Sequence, residues 1–431
     1  MLIINVNVDG EFVDVAIDKG VITALGKQLN HTNEFDGQGG SLIPGLHDHH
    51  IHIQATAAAM NSVKCGPPEI TTTTGLSDAL HDIKGKGWIR GIGYHDSIGF
   101  VDRAWLDKHG PERPIRIQHR GGRMWILNSH AIDILGNWVP ENGQLVDGDK
   151  KLRRALNGER PDLKLLVNKL LSYGITGITE VTPTNNREDY DYLVENLKPL
   201  KLSIMGTREL DGLPLAGPLK LHYHDYNLPS LEKLTDEIKG AHNAGRSVAA
   251  HCVTLAELML TLSAIEMAGV HPDDRIEHAA IVTEDSLTWI KKLGLTVVTQ
   301  PHFLKARADA YRRDVEKLDH PNLWRVGSFF NADIPFAFGS DAPFEDFNPW
   351  SVIQAAVDRP DGFGTDEKIK HKQALNAYLK PAHKAGAEPR RIKVGERADL
   401  CLLGKSGNVA ATWIDGKLVF RSDNFINQPP V

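Results

Sequence analysis

The stretch Leu42-Ile43-Pro44-Gly45-Leu46-His47-Asp48-His49-His50-Ile51-His52-Ile53 decides how the rest of the chain is read. An apolar lead runs into a cluster of histidines around one aspartate. If it continues as a strand to Ile53, side chains alternate between two faces, and His50 and His52 leave its C-terminal end on the same side. Two imidazoles two residues apart on a rigid strand supply half of a divalent-metal site. A histidine-rich surface turn has the same spelling, so the motif needs partners elsewhere.

Three later segments answer it. Val248-Ala249-Ala250-His251 is an apolar run ending in histidine, Arg275-Ile276-Glu277-His278 is a second strand-length run ending in histidine, and Pro335-Phe336-Ala337-Phe338-Gly339-Ser340-Asp341 ends in aspartate. Taken singly, His251 or His278 reads as a hydrogen-bonded core histidine and Asp341 as a helix cap. Together they place one ligand-competent side chain at the C-terminal edge of each of several buried strands, where (β/α) barrels keep their chemistry. Glu180 ends a similar run, Gly174 to Glu180. It reads as an acid orienting a ligand histidine, a substrate contact, or a carboxylate paired with arginine.

Strand candidates fall near 42–53, 175–181, 202–206, 218–223, 247–252, 275–280, 296–300 and 334–341. From the second onward, helical patterns separate most of them. One starts at Ser230 with Leu231, Leu234, Ile238 and Ala241 on one face and Gly245 as a stop. Such alternation argues for an α/β fold with a parallel sheet, and eight strands close a (β/α)8 TIM barrel. Residues 1–40 alternate apolar and polar, as does the end of the chain, where Asp415-Gly416 is a hairpin signal. Neither end can bury a core alone, so the two are expected to pair into a small β-sandwich lobe, 1–40 with 385–431, beside a barrel over 41–384. Residues 54–160 break the alternation and read as an insertion after the first barrel strand. They contain strand-like runs at Trp88–Tyr94 and Ile115–His119. An excursion from that end of a barrel is expected over the active site, where loops select substrates.

With these residues in hand, the chain resembles the amidohydrolase superfamily of metal-dependent hydrolases over nearly its whole length. The order His50, His52, Lys220, His251, His278, Asp341 is similar to the superfamily's metal-site pattern. Ile117–Ile132, Arg275–Val282 and Gly339–Pro343 resemble the branch that includes N-substituted formamide deformylases. The resemblance implies a metal-dependent hydrolase that cleaves a C–N bond other than a peptide bond: an amide, formamide, cyclic imide or related carbamoyl group. It implies that Lys220 is carbamylated and bridges two divalent ions. His50, His52 and Asp341 would then hold one ion, and His251 and His278 the other. Imidazole with carboxylate suits Zn²⁺ best, and Mn²⁺, Fe²⁺ or Co²⁺ are compatible. Two such ions about 3.5–4 Å apart share a water and activate it as hydroxide near pH ~7, with Asp341 as the catalytic proton carrier.

The alternative on the same barrel is a mononuclear zinc deaminase, which does without the lysine. A barrel that has lost its metal, and ester or phosphotriester hydrolysis, stay open as well. In the insertion, His119, Arg120 and Arg123 are candidate substrate contacts. Arg123 stands where the family more often has histidine, which points to an acceptor-rich group such as a carboxylate or to pairing with an acidic neighbour. His95 is a further pocket candidate. His222 and His224 share a strand face with Lys220 and are expected to shape the pocket.

Composition excludes several classes. At 431 residues and a formal net charge of −6, the chain has no electrostatic footprint for nucleic acid or an anionic membrane. No apolar run approaches the ~18 residues of a membrane span, and the start, MLIINVNVDG, lacks the features of a signal peptide. Cys65, Cys252 and Cys401 show no paired spacing, as expected of reduced thiols in a cytoplasmic protein. The expected partner is a small-molecule substrate, and the resemblance allows a homodimer.

Overall fold

The computed structural model describes residues 1–30, 33–156 and 160–426. Eight parallel strands form the central sheet: β1 (Leu46–Ile51), β2 (Ile175–Glu180), β3 (Lys201–Gly206), β4 (Ala216–Leu221), β5 (Val248–Cys252), β6 (Arg275–His278), β7 (Thr296–Thr299) and β8 (Phe336–Phe338). They pair in chain order from β1 to β8, each parallel to the next. The seam between β8 and β1 is closed just past the strand ends. There the Asp341 N–H donates to the His50 carbonyl at 2.7 Å and the His52 N–H to the Ala342 carbonyl at 3.0 Å. That closure needs a bare backbone at Gly339, because a Cβ there would lie 2.4 Å from His50 Cβ. The result is the (β/α)8 barrel.

Helices pack between the strands because their apolar residues recur at helical spacing. Leu231–Asn243, between β4 and β5, is capped by the Ser230 hydroxyl and buries Leu234, Ile238 and Ala241. Each full-size side chain so buried is worth roughly 1.5–3 kcal/mol relative to exposure. Leu255–Ala268 begins with a capping box in which Thr254 and Glu257 satisfy each other's backbone N–H groups.

The first strand candidate, 42–53, divides in two. Ser41–Pro44 joins a different sheet, and β1 starts afresh at Leu46 and ends at Ile51, with a helix from Ile53. Gly45 is the break: a Cβ there would meet the Thr176 side chain at 2.2 Å, so only glycine lets the chain pass between the two sheets. His52 therefore sits at a strand-to-helix junction and not within a strand.

Both ends of the chain contribute to the second sheet. Its eight strands include Leu2–Val8, Glu11–Asp18, Val21–Gly26 and Ser41–Pro44 from the start and Leu400–Leu403, Val409–Ile414 and Lys417–Arg421 from the end. The strands form one hydrogen-bonded sheet, and Val15, Ile17 and Ile22 from one end share a core with Leu402 and Trp413 from the other. The lobe formed by the two ends is thus one hydrogen-bonded sheet with a shared apolar core.

Residues Gln54–Leu163 form a separate compact unit, and the rest of the chain forms the other. This unit is more than a long loop with two strands. Its five-stranded mixed sheet runs Gln144–Val146, Met124–Leu127, Ile115–His119, Ile89–Tyr94, Val63–Lys64. Leu76, Leu80, Leu106 and Ile117 form one apolar cluster and Trp125, Leu127 and Leu135 another. Cys65, Cys252 and Cys401 are free and buried. Among the described residues no helix is long and apolar enough to cross a membrane.

Candidate metal centre

At the C-terminal end of the barrel, β1 delivers its histidines by simple alternation. His47 and His49 face away together, with rings 4.4 Å apart and His47 bonded to Thr179. His50 faces inward. Its Nδ1 meets the Glu277 carboxylate of β6, which can only accept, so Nδ1 carries the proton. Nε2 then points at Asp341, 3.3 Å from Oδ1. The same oxygen lies 3.4 Å from His52 Nε2. His52 is steadied on its other nitrogen by the Thr182 hydroxyl at 3.0 Å.

His278 and Asp341 both stand past regular strand geometry, at φ +70° and +53°. Left-handed backbone is costly for residues with a Cβ and is kept where the surroundings enforce it. Here it turns both side chains toward His50: the His50 and His278 rings are 4.6 Å apart, and His278 Nδ1 lies 3.8 Å from Asp341 Oδ2. The Gln300 carbonyl, just past β7, accepts from His278 Nδ1 at 2.9 Å and leaves Nε2 its lone pair. His251, on β5, packs its ring 4.6 Å from that of His278. One set of donor atoms joins His50, His278 and Asp341, and a second joins His251 to His222 and His224. His278 is thus grouped with His50 and Asp341, where the sequence reading pairs it with His251.

The electrostatics are those of a cation site. Burial pushes the Asp341 carboxyl up, but the charge of His50 and hydrogen bonds from His50 and His52 outweigh it and hold the group well below the usual carboxylate range. Burial and Lys220 favour a neutral His50, yet Glu277 and Asp341 together raise it above its ordinary value. Burial, then the neighbouring His278 and Lys220, keep His251 neutral. Burial likewise, with help from His50, lowers His278 to about 3. An ionised carboxylate beside His251 and His278, two imidazoles that resist protonation, is what a divalent metal requires of its ligands.

Lys220 fits this setting. On β4, it is buried, and its Nζ has no hydrogen-bond partner among the described residues. Burial lowers its pKa, opposed by Glu277 and Asp341. A buried amine shifted this way spends more time neutral, and a neutral amine is the form that can be carbamylated. The residues present therefore fit a divalent-metal centre.

Glu180 is buried at the end of β2 and spends its oxygens on the Ile53 N–H at 2.5 Å, the Thr182 N–H at 2.8 Å and Asn185 Nδ2 at 3.2 Å. It acts on the site by fixing the backbone on either side of His52 and Thr182. The remaining sequence candidates lie in the other unit. His95 and His119 meet there with ring centroids 5.9 Å apart, and His119 Nε2 is 3.7 Å from Asp96 Oδ2. Arg120 is exposed beside them, with its N–H bonded to the Tyr94 carbonyl at 2.8 Å. Arg123 pairs through two nitrogens with Asp147, and both residues are exposed.

Sequence reasoning missed Glu277 and Gln300 as groups that orient the ligand histidines. Glu277 was visible in Arg275-Ile276-Glu277-His278, since a charged residue in a buried strand needs a partner. It has two, with Arg275 Nε 2.5 Å from Oε1. Gln300 carried no such signal.

Residues 215–420 match the sequence model described as the amidohydrolase family, Amidohydro_3. The chain is 22% identical over 481 residues to N-substituted formamide deformylase of Arthrobacter pascens, covering 89% of each chain. It is also 22% identical over 488 residues to Protein LONG AFTER FAR-RED 3 of Arabidopsis thaliana, covering 90% of this chain and 84% of that one. Among solved structures, an uncharacterized metal-dependent hydrolase from Pyrococcus furiosus superposes with a TM-score of 0.77 at 19% identity, over 94% of this chain and 98% of that one.

Proposed function

We propose that this chain, whose residues 215–420 match the amidohydrolase family model, is a member of that superfamily and hydrolyses a C–N bond of a small molecule (amide, formamide, cyclic imide or related carbamoyl group) at a binuclear metal centre. The observation that carries this reading is the convergence of His50, His52, His278 and Asp341 at one end of the barrel, with the buried Lys220, whose Nζ has no hydrogen-bond partner among the described residues, beside them. His50, His52, His251, His278 and Asp341, with Lys220 as its carbamate, would hold two divalent ions, with zinc best matched to the donors. When bound, such ions polarise a carbonyl and acidify a water toward neutral pH.

The chain's own residues do the rest. Among the described residues, Asp341 is an ionised carboxylate facing His50, His52 and His278, whereas Glu277 is paired with Arg275. Asp341 takes the proton from the attacking water and passes it to the leaving nitrogen. Glu277, Gln300 and Thr182 hold the rings of His50, His278 and His52 in place. Glu180 pins the turn that carries His52.

The three-donor set of His50, His278 and Asp341 favours one second reading, a mononuclear deaminase. A panel of N-acyl amino acids, formamides, cyclic imides and aminated heterocycles decides between them. We expect hydrolysis of at least one amide class, lost by about 10²–10⁴-fold in Asp341→Asn. Ammonia release from the heterocycles alone, with one ion per chain, selects the deaminase. Activity unchanged in Asp341→Asn overturns both.

A further inference from the structure

His222 and His224 have no task in the reaction just described, yet their placement is specific. β4 ends at Leu221, and the next turn of chain is anchored by Tyr223, whose hydroxyl donates to Glu237 on the helix Leu231–Asn243. His224 continues in extended backbone, at φ −112° and ψ 149°. In an extended segment alternate residues face opposite ways. With Tyr223 drawn to the helix, His222 and His224 turn together to the other side. There they meet His251 of β5: ring centroids lie 4.7 Å apart for His222 and His224 and 4.4 Å for His222 and His251. One nitrogen from each of the three rings lies within 4.8 Å of the others. His222 and His224 are exposed, so an ion can arrive from solvent.

We propose that His222, His224 and His251 form a separate transition-metal site at the C-terminal end of the barrel, and that filling it draws His251 away from the inner ligands. Three imidazoles without a carboxylate select Zn²⁺, Cu²⁺ or Ni²⁺ over Mg²⁺, Ca²⁺ or Mn²⁺. His251 stands between the two sets, with the His278 ring 4.6 Å away on one side and His222 on the other. An ion held on the outer face competes for the same imidazole, so excess metal inhibits. The coupling rests on the proposed role of His251 in hydrolysis; the outer site itself does not.

The full chain, stripped with chelator and dialysed against Zn²⁺, tests both parts by metal analysis. We expect wild type to hold one ion more than His222→Ala/His224→Ala, with the same deficit in His222→Asn/His224→Asn. Unchanged circular dichroism in both variants would show that the fold is kept. A one-ion difference that persists when His50→Asn and Asp341→Asn are added supports the outer site even if the inner centre is not what we propose. Equal ion counts with and without His222 and His224 overturn it. For the coupling, wild type should lose activity at least tenfold in excess Zn²⁺ while the double variant resists. Equal inhibition of both overturns the competition for His251.

Discussion

Glu277 and His50 face each other across the inside of the barrel, one on β6 and one on β1, joined by a hydrogen bond from imidazole Nδ1 to carboxylate. Burial pushes the Glu277 carboxyl up, but Arg275, Lys220 and His50 together hold it below the usual carboxylate range. The bond fixes which His50 nitrogen is left for a metal. Glu277→Gln keeps the shape and loses the charge, so metal affinity should fall by about 10–100-fold, the usual cost of losing such a partner. Competition against a fluorescent chelator measures it. Wild-type affinity in the variant would mean that Glu277 serves only the barrel interior.

Asp48 gives the chain a pH signature apart from its chemistry. Burial raises its carboxyl to about 6 from an ordinary 3.8, although its Oδ1 accepts the His50 and Ser340 N–H groups at 3.0 Å each. The folded state thus holds this proton more tightly than the unfolded state. Stability from this source is complete below pH ~4 and is lost as pH rises through about 6, by about 3 kcal/mol. Asp48→Asn keeps an acceptor and cannot ionise. Calorimetric melting of both proteins from pH 4 to 7 should show wild type losing ground to the variant as pH rises. A constant gap would contradict the assignment.

Arg123 supplies a prediction that departs from the sequence expectation. Because its guanidinium is engaged by Asp147 on an exposed surface, Arg123→Met should leave the ratio of kcat/KM for acidic over neutral substrates unchanged. A loss confined to acidic substrates would restore a role in reading carboxylate.

The barrel was legible because its strands are short runs of strand length, several of them apolar, as in Val248-Ala249-Ala250 before His251. What escaped were features set by close approach. The break at Gly45 depends on Thr176, more than a hundred residues away, and no local pattern announces it. The turned-in His278 and Asp341 owe their orientation to left-handed backbone, which strand alternation does not foresee. The insertion's sheet stayed hidden because several of its strands are two to four residues long, too short for a period to show. The histidine trio at His251 was missed because His222 and His224 were placed on a strand face shared with Lys220, whereas that strand ends at Leu221.

Lys220, the buried amine with no hydrogen-bond partner among the described residues, is the residue on which a binuclear centre depends. Metal content per chain, measured on protein purified without chelators, tests it directly in wild type and Lys220→Ala. In the His222→Ala/His224→Ala background, which lacks the outer site, about two ions per chain are expected with Lys220 intact and fewer once the lysine is gone, with hydrolysis abolished. An unchanged ion count in Lys220→Ala would remove the lysine from the centre and contradict the binuclear reading.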